Sequence, residues 1–251
     1  MDKAKGYLIY FLVYKNIQLK YKHSILGLLW SFLHPLFYLL IFNFVFSQAF
    51  SQIHHYSLFV ISGLIFWIYF SASTNQLSQT FIRNAHLLKS LNVKKLLYPL
   101  SEQLTELVNF LAGFILFLFL MYYLGLDINW NLLFIVPIII LFSVFCFSLG
   151  LILGSLNVFF RDVGILWNTL NAALFYLSPI AYSIDIIPLE YRFYFKLNPL
   201  FHFFYVIRNI LYEGIAPSLH YTLYCVIITL VLFMLALFVY RKTKNGFISN
   251  L

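Results

Sequence analysis

Residues 24 to 82 carry no lysine, arginine, aspartate or glutamate. A soluble domain places a charge at about one position in four, so the setting for a run of this length is the hydrocarbon of a bilayer. It is long enough for two helical spans of about 20 residues each. Its only extended polar patch, Ser47-Gln48-Ala49-Phe50-Ser51-Gln52-Ile53-His54-His55-Tyr56, separates a first span at 26–46 from a second at 57–77. Pro35 falls inside the first and predicts a kink or a late start. His54 and His55 are adjacent, a poor arrangement for ligands on one helix face, and read as residues of an external loop.

Residues 128–160 and 163–184 also lack formal charge, and Arg161-Asp162 stands between them in Asn157-Val158-Phe159-Phe160-Arg161-Asp162-Val163. Charge at the bilayer centre costs about 2.5–3.5 kcal/mol per residue on insertion scales. A hairpin at the membrane surface is therefore the cheaper setting, with a partner outside the membrane pressing on it or as a plain structural turn. Phe159, Phe160 and Val163 leave little polar cover, which predicts a buried ion pair between Arg161 and Asp162.

The third span is read at 98–124. Glu102 and Glu106 lie four apart on one face near its cytoplasmic end and face either a neighbouring helix or a water-filled path. Paired carboxylates raise the question of proton transfer or hydrolysis, but no second polar constellation supports it. The fourth span, 132–156, holds Pro137 and the pair Gly150 and Gly154, a spacing that permits close helix contact. The fifth, 163–177, is polar for a span: Asn168, Thr169 and Asn171 either bond to neighbouring helices or line a path. The sixth is 221–240. Cys146 and Cys225 lie in apolar runs and read as small buried hydrophobes.

The connecting segments are the charged ones. Residues 1–23 place Ile9, Val13 and Ile17 on one helical face and Lys15, Gln18 and Lys22 on another, predicting an amphipathic helix in the cytoplasmic interface. Residues 83–95 are basic with a stripe of Leu87, Leu88 and Leu91, a brief surface helix or a basic loop. In 183–219, Asn198-Pro199 reads as a helix cap followed by proline, and Gly214 as a stop. A helix over 199–213 is about 22 Å long, too short to cross a ~30 Å core. With 189–197 it makes a pair of re-entrant or interfacial helices. Of the sixteen Lys and Arg residues, all but Arg192, Lys196 and Arg208 then fall on one side, which puts both termini in the cytoplasm. A net charge of +8 suits that orientation better than binding of nucleic acid. The expected fold is an all-α integral membrane protein of six transmembrane helices in one domain, 1–251. It divides into the interface helix 1–23, five spans in 24–182, short helices in 183–219, and the last span with its tail in 220–251.

Three stretches together resemble the ABC-2 type transporter permeases. They are Lys20-Tyr21-Lys22-His23-Ser24-Ile25-Leu26-Gly27-Leu28-Leu29-Trp30 with Pro35, the Asn157–Val163 stretch, and Ser178-Pro179-Ile180 followed by Asn198-Pro199-Leu200 and Arg208. Lys22 stands where an arginine is common. The likeness is strongest to permeases that export lipid-linked polysaccharides such as O-antigen, teichoic acid and some capsules. It implies a homodimeric channel in the cytoplasmic membrane, joined to two ATPase subunits. This chain has no GxxxxGK[ST] stretch, so no cofactor and no catalytic role are expected of it, and ATP and Mg would belong to the partner ATPase. The resemblance implies that the helix around 83–95, with Leu87, Leu88 and Leu91, is the main coupling element, with Arg161 and Asp162 on the same face. It implies an extracellular gate at 187–213, carrying Arg192, Asn198, Pro199 and Arg208. The excess of 30 Phe and 19 Tyr then acquires a use, because sugar C–H faces pack on aromatic rings. Phe37, Tyr38, Phe42, Phe59 and Trp67 are channel candidates as a set, against the alternative of lipid-facing and packing rings. Lys20, Lys22 and His23 sit where the phosphate of a lipid carrier would arrive, or else they fix orientation and bind anionic membrane lipids. Other readings are an exporter of lipids or drugs, a passive channel or secondary transporter, and an intramembrane enzyme acting on lipid-linked sugars.

Overall fold

The computed structural model describes residues 2–90, 93–123 and 129–251, and these contain helices and no strand. In chain order the helices are α1 Asp2–Tyr21, α2 Trp30–Phe46, α3 Tyr56–Ser78, α4 Thr80–Arg83, α5 Ala85–Ser90, α6 Leu97–Tyr123, α7 Ile135–Asn157, α8 Asp162–Tyr176, α9 Leu189–Lys196, α10 Pro199–Leu211, α11 Leu219–Thr243 and α12 Phe247–Asn250. Among the described residues four helical stretches are long and apolar enough to cross a membrane: Tyr56–Ser78, Leu97–Tyr123, Trp130–Asn157 and Leu219–Asn250. The helices over the other two expected spans are shorter, α2 with 17 residues and α8 with 15.

α3 is the centre of the bundle. It packs against α2, α6, α7, α8 and α10, and most of its side chains are buried. Protein on every side explains how a membrane helix tolerates so many hydroxyls. Ser62, Thr74 and Ser78 bond back to the carbonyls of Phe59, Phe70 and Asn75 at 2.8–2.9 Å, a local satisfaction that needs no outside partner. α7 reaches α3 closely because Gly150 and Gly154 face Leu77: a Cβ at Gly154 would stand 2.5 Å from the Leu77 carbonyl oxygen. α6 and α2 approach in the same way, where a Cβ at Gly113 would stand 2.7 Å from the Ser31 carbonyl oxygen.

α1 lies along α6. Leu12 is buried and Leu8 packs beside it, while Ile9, Val13 and Ile17 are half-buried. Tyr7, Tyr10, Phe11 and Tyr14 are exposed. The helix is apolar on both faces, so periodicity alone could not say which one meets protein. α2 starts at Trp30 rather than at 26, after a tight turn over Gly27–Leu29 in which Gly27 takes φ +47, a conformation glycine adopts without strain. The tail closes on one end of the bundle. Phe247 is fully buried, its ring 4.5 Å from that of Phe81, and Lys95 Nζ donates to the Lys244 carbonyl at 2.6 Å.

Candidate functional site

Three helix faces meet at one slot. His34, Tyr38 and Phe42 follow each other at intervals of four on α2, as do Trp67, Ser71 and Asn75 on α3. On α8, Asn168, Asn171 and Phe175 repeat at three and four. At 3.6 residues per turn each set falls on one side of its helix, and together they line a cavity of about 500 Å³. The Phe175 ring bridges the walls, 5.3 Å from Trp67 and 6.0 Å from Phe42, and Tyr38 meets His34 edge-on at 5.0 Å. The slot therefore gathers Tyr38, Phe42 and Trp67 from the expected channel set. It leaves out the other two. Phe37 is exposed on α2, and Phe59 is buried under the α10 helix. Phe175, Tyr176 and Asn75 belong to the slot and escaped the sequence reading, although the spacing from Asn168 to Phe175 was a usable signal.

Toward the end that carries α1 and α4 the slot adjoins a cavity of about 560 Å³ with which it shares His34, Ile68 and Ala72. That cavity adjoins a third, of about 280 Å³, through Lys20, Gln76 and Glu106. Here the two carboxylates of α6 are held by cations. Lys20 Nζ lies 2.7 and 3.0 Å from the Glu106 oxygens, and Arg83 Nη2 lies 3.2 Å from Glu102 Oε1. Tyr21 extends the line by donating to Asn109 Oδ1 at 3.1 Å. Glu102 and Glu106 thus face neighbouring elements and brace α1 and α4 against α6. Of the expected access cations, Lys20 is engaged by Glu106, while Lys22 and His23 are exposed.

At the opposite end, Asn198 Oδ1 accepts from Leu200 N at 3.0 Å and its amide donates to Ser178 Oγ at 3.0 Å. Pro199 occupies the first turn of α10, where no N–H is needed. α10 is buried along nearly its whole length, whereas α9 has no buried residue. Arg208 donates to the Ile180 carbonyl at 2.6 Å, with its guanidinium 3.7 Å from the centre of the Phe59 ring. Gly63 gives it room: a Cβ there would stand 3.3 Å from Nη2. Tyr212 donates its hydroxyl to the His54 carbonyl. Arg192 pairs with Asp185 at 3.4 Å and donates to the Ile187 carbonyl at 2.9 Å.

Residues 7–212 match the ABC-2 type transporter family. The chain belongs to the ABC-2 type transporter family. It is 30% identical over 247 residues to an O-antigen export system permease protein RfbA of Klebsiella pneumoniae, covering 96% of this chain and 95% of that one. A protein of the same name from Myxococcus xanthus is 26% identical over 243 residues, covering 96% and 94%. The polysialic acid transport protein KpsM of Escherichia coli is 24% identical over 250 residues, covering 94% and 93%.

The elements of this ABC-2 chain expected to meet the ATPase differ from expectation in two places. Leu88, expected on an outward stripe, is buried in the chain's own core with Phe81 and Phe247. Leu87 is half-buried, and Leu91 lies outside the described residues. Arg161 and Asp162 are exposed and do not form the expected buried pair; among the described residues the ion pairs are Lys20–Glu106, Arg83–Glu102 and Arg192–Asp185. Asn157 does the work instead. It is buried, donates to the Ser78 carbonyl at 2.8 Å and accepts from Gly164 N at 3.1 Å, so one amide ties the hairpin to the end of α3. The Arg161→Ala and Asp162→Ala variants are each expected to change thermal stability by no more than about 0.5 kcal/mol, as unpaired surface residues do, with additive effects in the double variant. A loss above 2 kcal/mol in either single variant would contradict the exposed geometry.

Proposed function

We propose that this chain is the membrane-spanning permease of an ATP-driven exporter that moves a lipid-linked polysaccharide across the cytoplasmic membrane. The slot of rings and amides carries the reading. Its apolar faces suit sugar C–H surfaces and its amides suit hydroxyls. The names of the full-length relatives support the same cargo class. In this reading α2 and α8 complete a set of six spans. Both termini lie in the cytoplasm, and α9 and α10 form an extracellular gate. Two copies of the chain work with two ATPase subunits that bind ATP and Mg. Segment 85–90, the exposed hairpin at Arg161-Asp162 and Leu87 meet the ATPase. Lys22 and His23, with Lys20 behind them, receive the phosphate of the carrier among the membrane lipids.

Two measurements test this. Deleting the gene from a cell that makes the polymer should remove it from the surface and accumulate it, still lipid-linked, inside. An unchanged surface polymer would end the reading. Single cysteines at the His54 and Glu190 positions should label in intact cells, and those at Lys89 and Lys242 only after permeabilisation. External labelling at Lys89 would overturn the orientation.

A further inference from the structure

Among the described residues, no lysine, arginine, aspartate or glutamate lines the slot between α2, α3 and α8. The polar atoms of its lining that are buried without a partner are all acceptors. Asn171 is 3% exposed, its Nδ2 donates to Ser71 Oγ at 2.8 Å, and its Oδ1 is buried without a partner. Asn75 repeats the pattern from α3: its Nδ2 reaches the same Oγ at 3.5 Å and its Oδ1 is buried without a partner. Ser71 thus turns the donor ends of both amides toward itself and leaves two acceptors over. A buried acceptor without a donor is costly, and a hydroxyl group supplies the missing hydrogen where a carboxylate cannot. The charged groups nearby in the chain are already engaged, Lys20 by Glu106 and Arg83 by Glu102.

We infer that the glycan taken by this slot is uncharged: a chain of hydroxyl-rich sugars whose ring faces lie on Tyr38, Trp67 and Phe175 and whose hydroxyls donate to Asn75 and Asn171. This rests on the polysaccharide reading above and narrows it. An acidic polymer would bring carboxylates against amide oxygens in a slot with no lysine or arginine to receive them, and a desolvated charge without a partner is strongly disfavoured. Polysialic acid, the cargo in the name of the Escherichia coli relative, is such a polymer. Asn168 is exposed on the same helix as the buried Asn171, so it is the position at which charge can be added without disturbing packing.

The experiment uses the full chain in lipid nanodiscs and two probes, a mannose oligosaccharide and a sialic-acid oligosaccharide, with binding read by equilibrium dialysis. The mannose probe should bind and the sialic-acid probe should not. Asn171→Ala should weaken mannose binding about fivefold, the factor for one hydrogen bond. Asn168→Lys should let the sialic-acid probe bind, and it keeps the test open if Asn171→Ala does not fold. Wild-type chain that binds both probes equally, or the sialic-acid probe more tightly, overturns the uncharged cargo and leaves the polysaccharide reading standing. Wild-type chain that binds neither removes both.

Discussion

Gly154→Val will be among the most damaging single substitutions in this chain. The first added carbon would stand 2.5 Å from the Leu77 carbonyl oxygen, and a backbone atom in the middle of a packed helix cannot swing aside as a side-chain tip can. Valine adds two methyl groups beyond that point. Overpacking typically costs 1–3 kcal/mol and sometimes more, and here it is applied at the crossing of α3 with α7. In lipid such crossings depend on close backbone approach, because no hydrophobic force drives helices together. A loss of about 3 kcal/mol is expected, read as a large fall in melting temperature in detergent and a broadened size-exclusion profile. Gly6→Ala is the control, since a Cβ at Gly6 has no neighbour within 4 Å. Equal melting of Gly154→Val and the unaltered chain would show that α3 and α7 are not held this closely.

The Lys20–Glu106 pair should respond unequally to loss of its two members. The Glu106 side chain is 4% exposed and that of Lys20 is 34% exposed. Lys20→Gln strands a buried carboxylate, the costly case, at about 3 kcal/mol. Glu106→Gln leaves an ammonium that reaches water and should cost about 1 kcal/mol. The double variant should recover most of the larger loss. Thermal unfolding of the four proteins in nanodiscs checks this. Additive losses would mean that the ammonium and the carboxylate do not depend on each other, and equal single losses would mean that their difference in exposure does not matter. The same asymmetry separates bracing from carrier binding, because Lys22→Gln removes a cation without disturbing the brace.

Span positions were legible where polarity changes abruptly. The expected 57–77 and 98–124 became Tyr56–Ser78 and Leu97–Tyr123, and Asn198-Pro199 marked the start of α10 to the residue. Other features depended on information no local pattern contains. The start of α2 is set by the turn at Gly27 within an unbroken apolar run. Leu87 and Leu88 are identical in kind, and only the seat prepared by Phe81 and Phe247 draws Leu88 inward. Arg161 and Asp162 looked like partners because they are neighbours, yet successive residues of a turn point apart, and the buried polar group of the hairpin is Asn157. The slot was half legible. Tyr38, Phe42, Asn168 and Asn171 stood out by type, but which rings share a wall follows from how α3 is rotated between α2 and α8. Phe247 gave no signal at all beyond being one aromatic in a basic tail.

The burial of α3 has a consequence for how the protein is made. A helix enclosed by protein in the finished bundle must still pass the insertion machinery before most of that protein exists. With Ser62, Ser73, Thr74, Asn75, Gln76 and Ser78 in its sequence, it is the least apolar of the four long spans, and each such residue lowers its preference for lipid. α6 and α7, which will cover it, are synthesised afterwards. During biogenesis α3 therefore depends on being retained beside α2 until its later neighbours emerge, and a ribosome stalled between α3 and α6 holds the chain at its most vulnerable length.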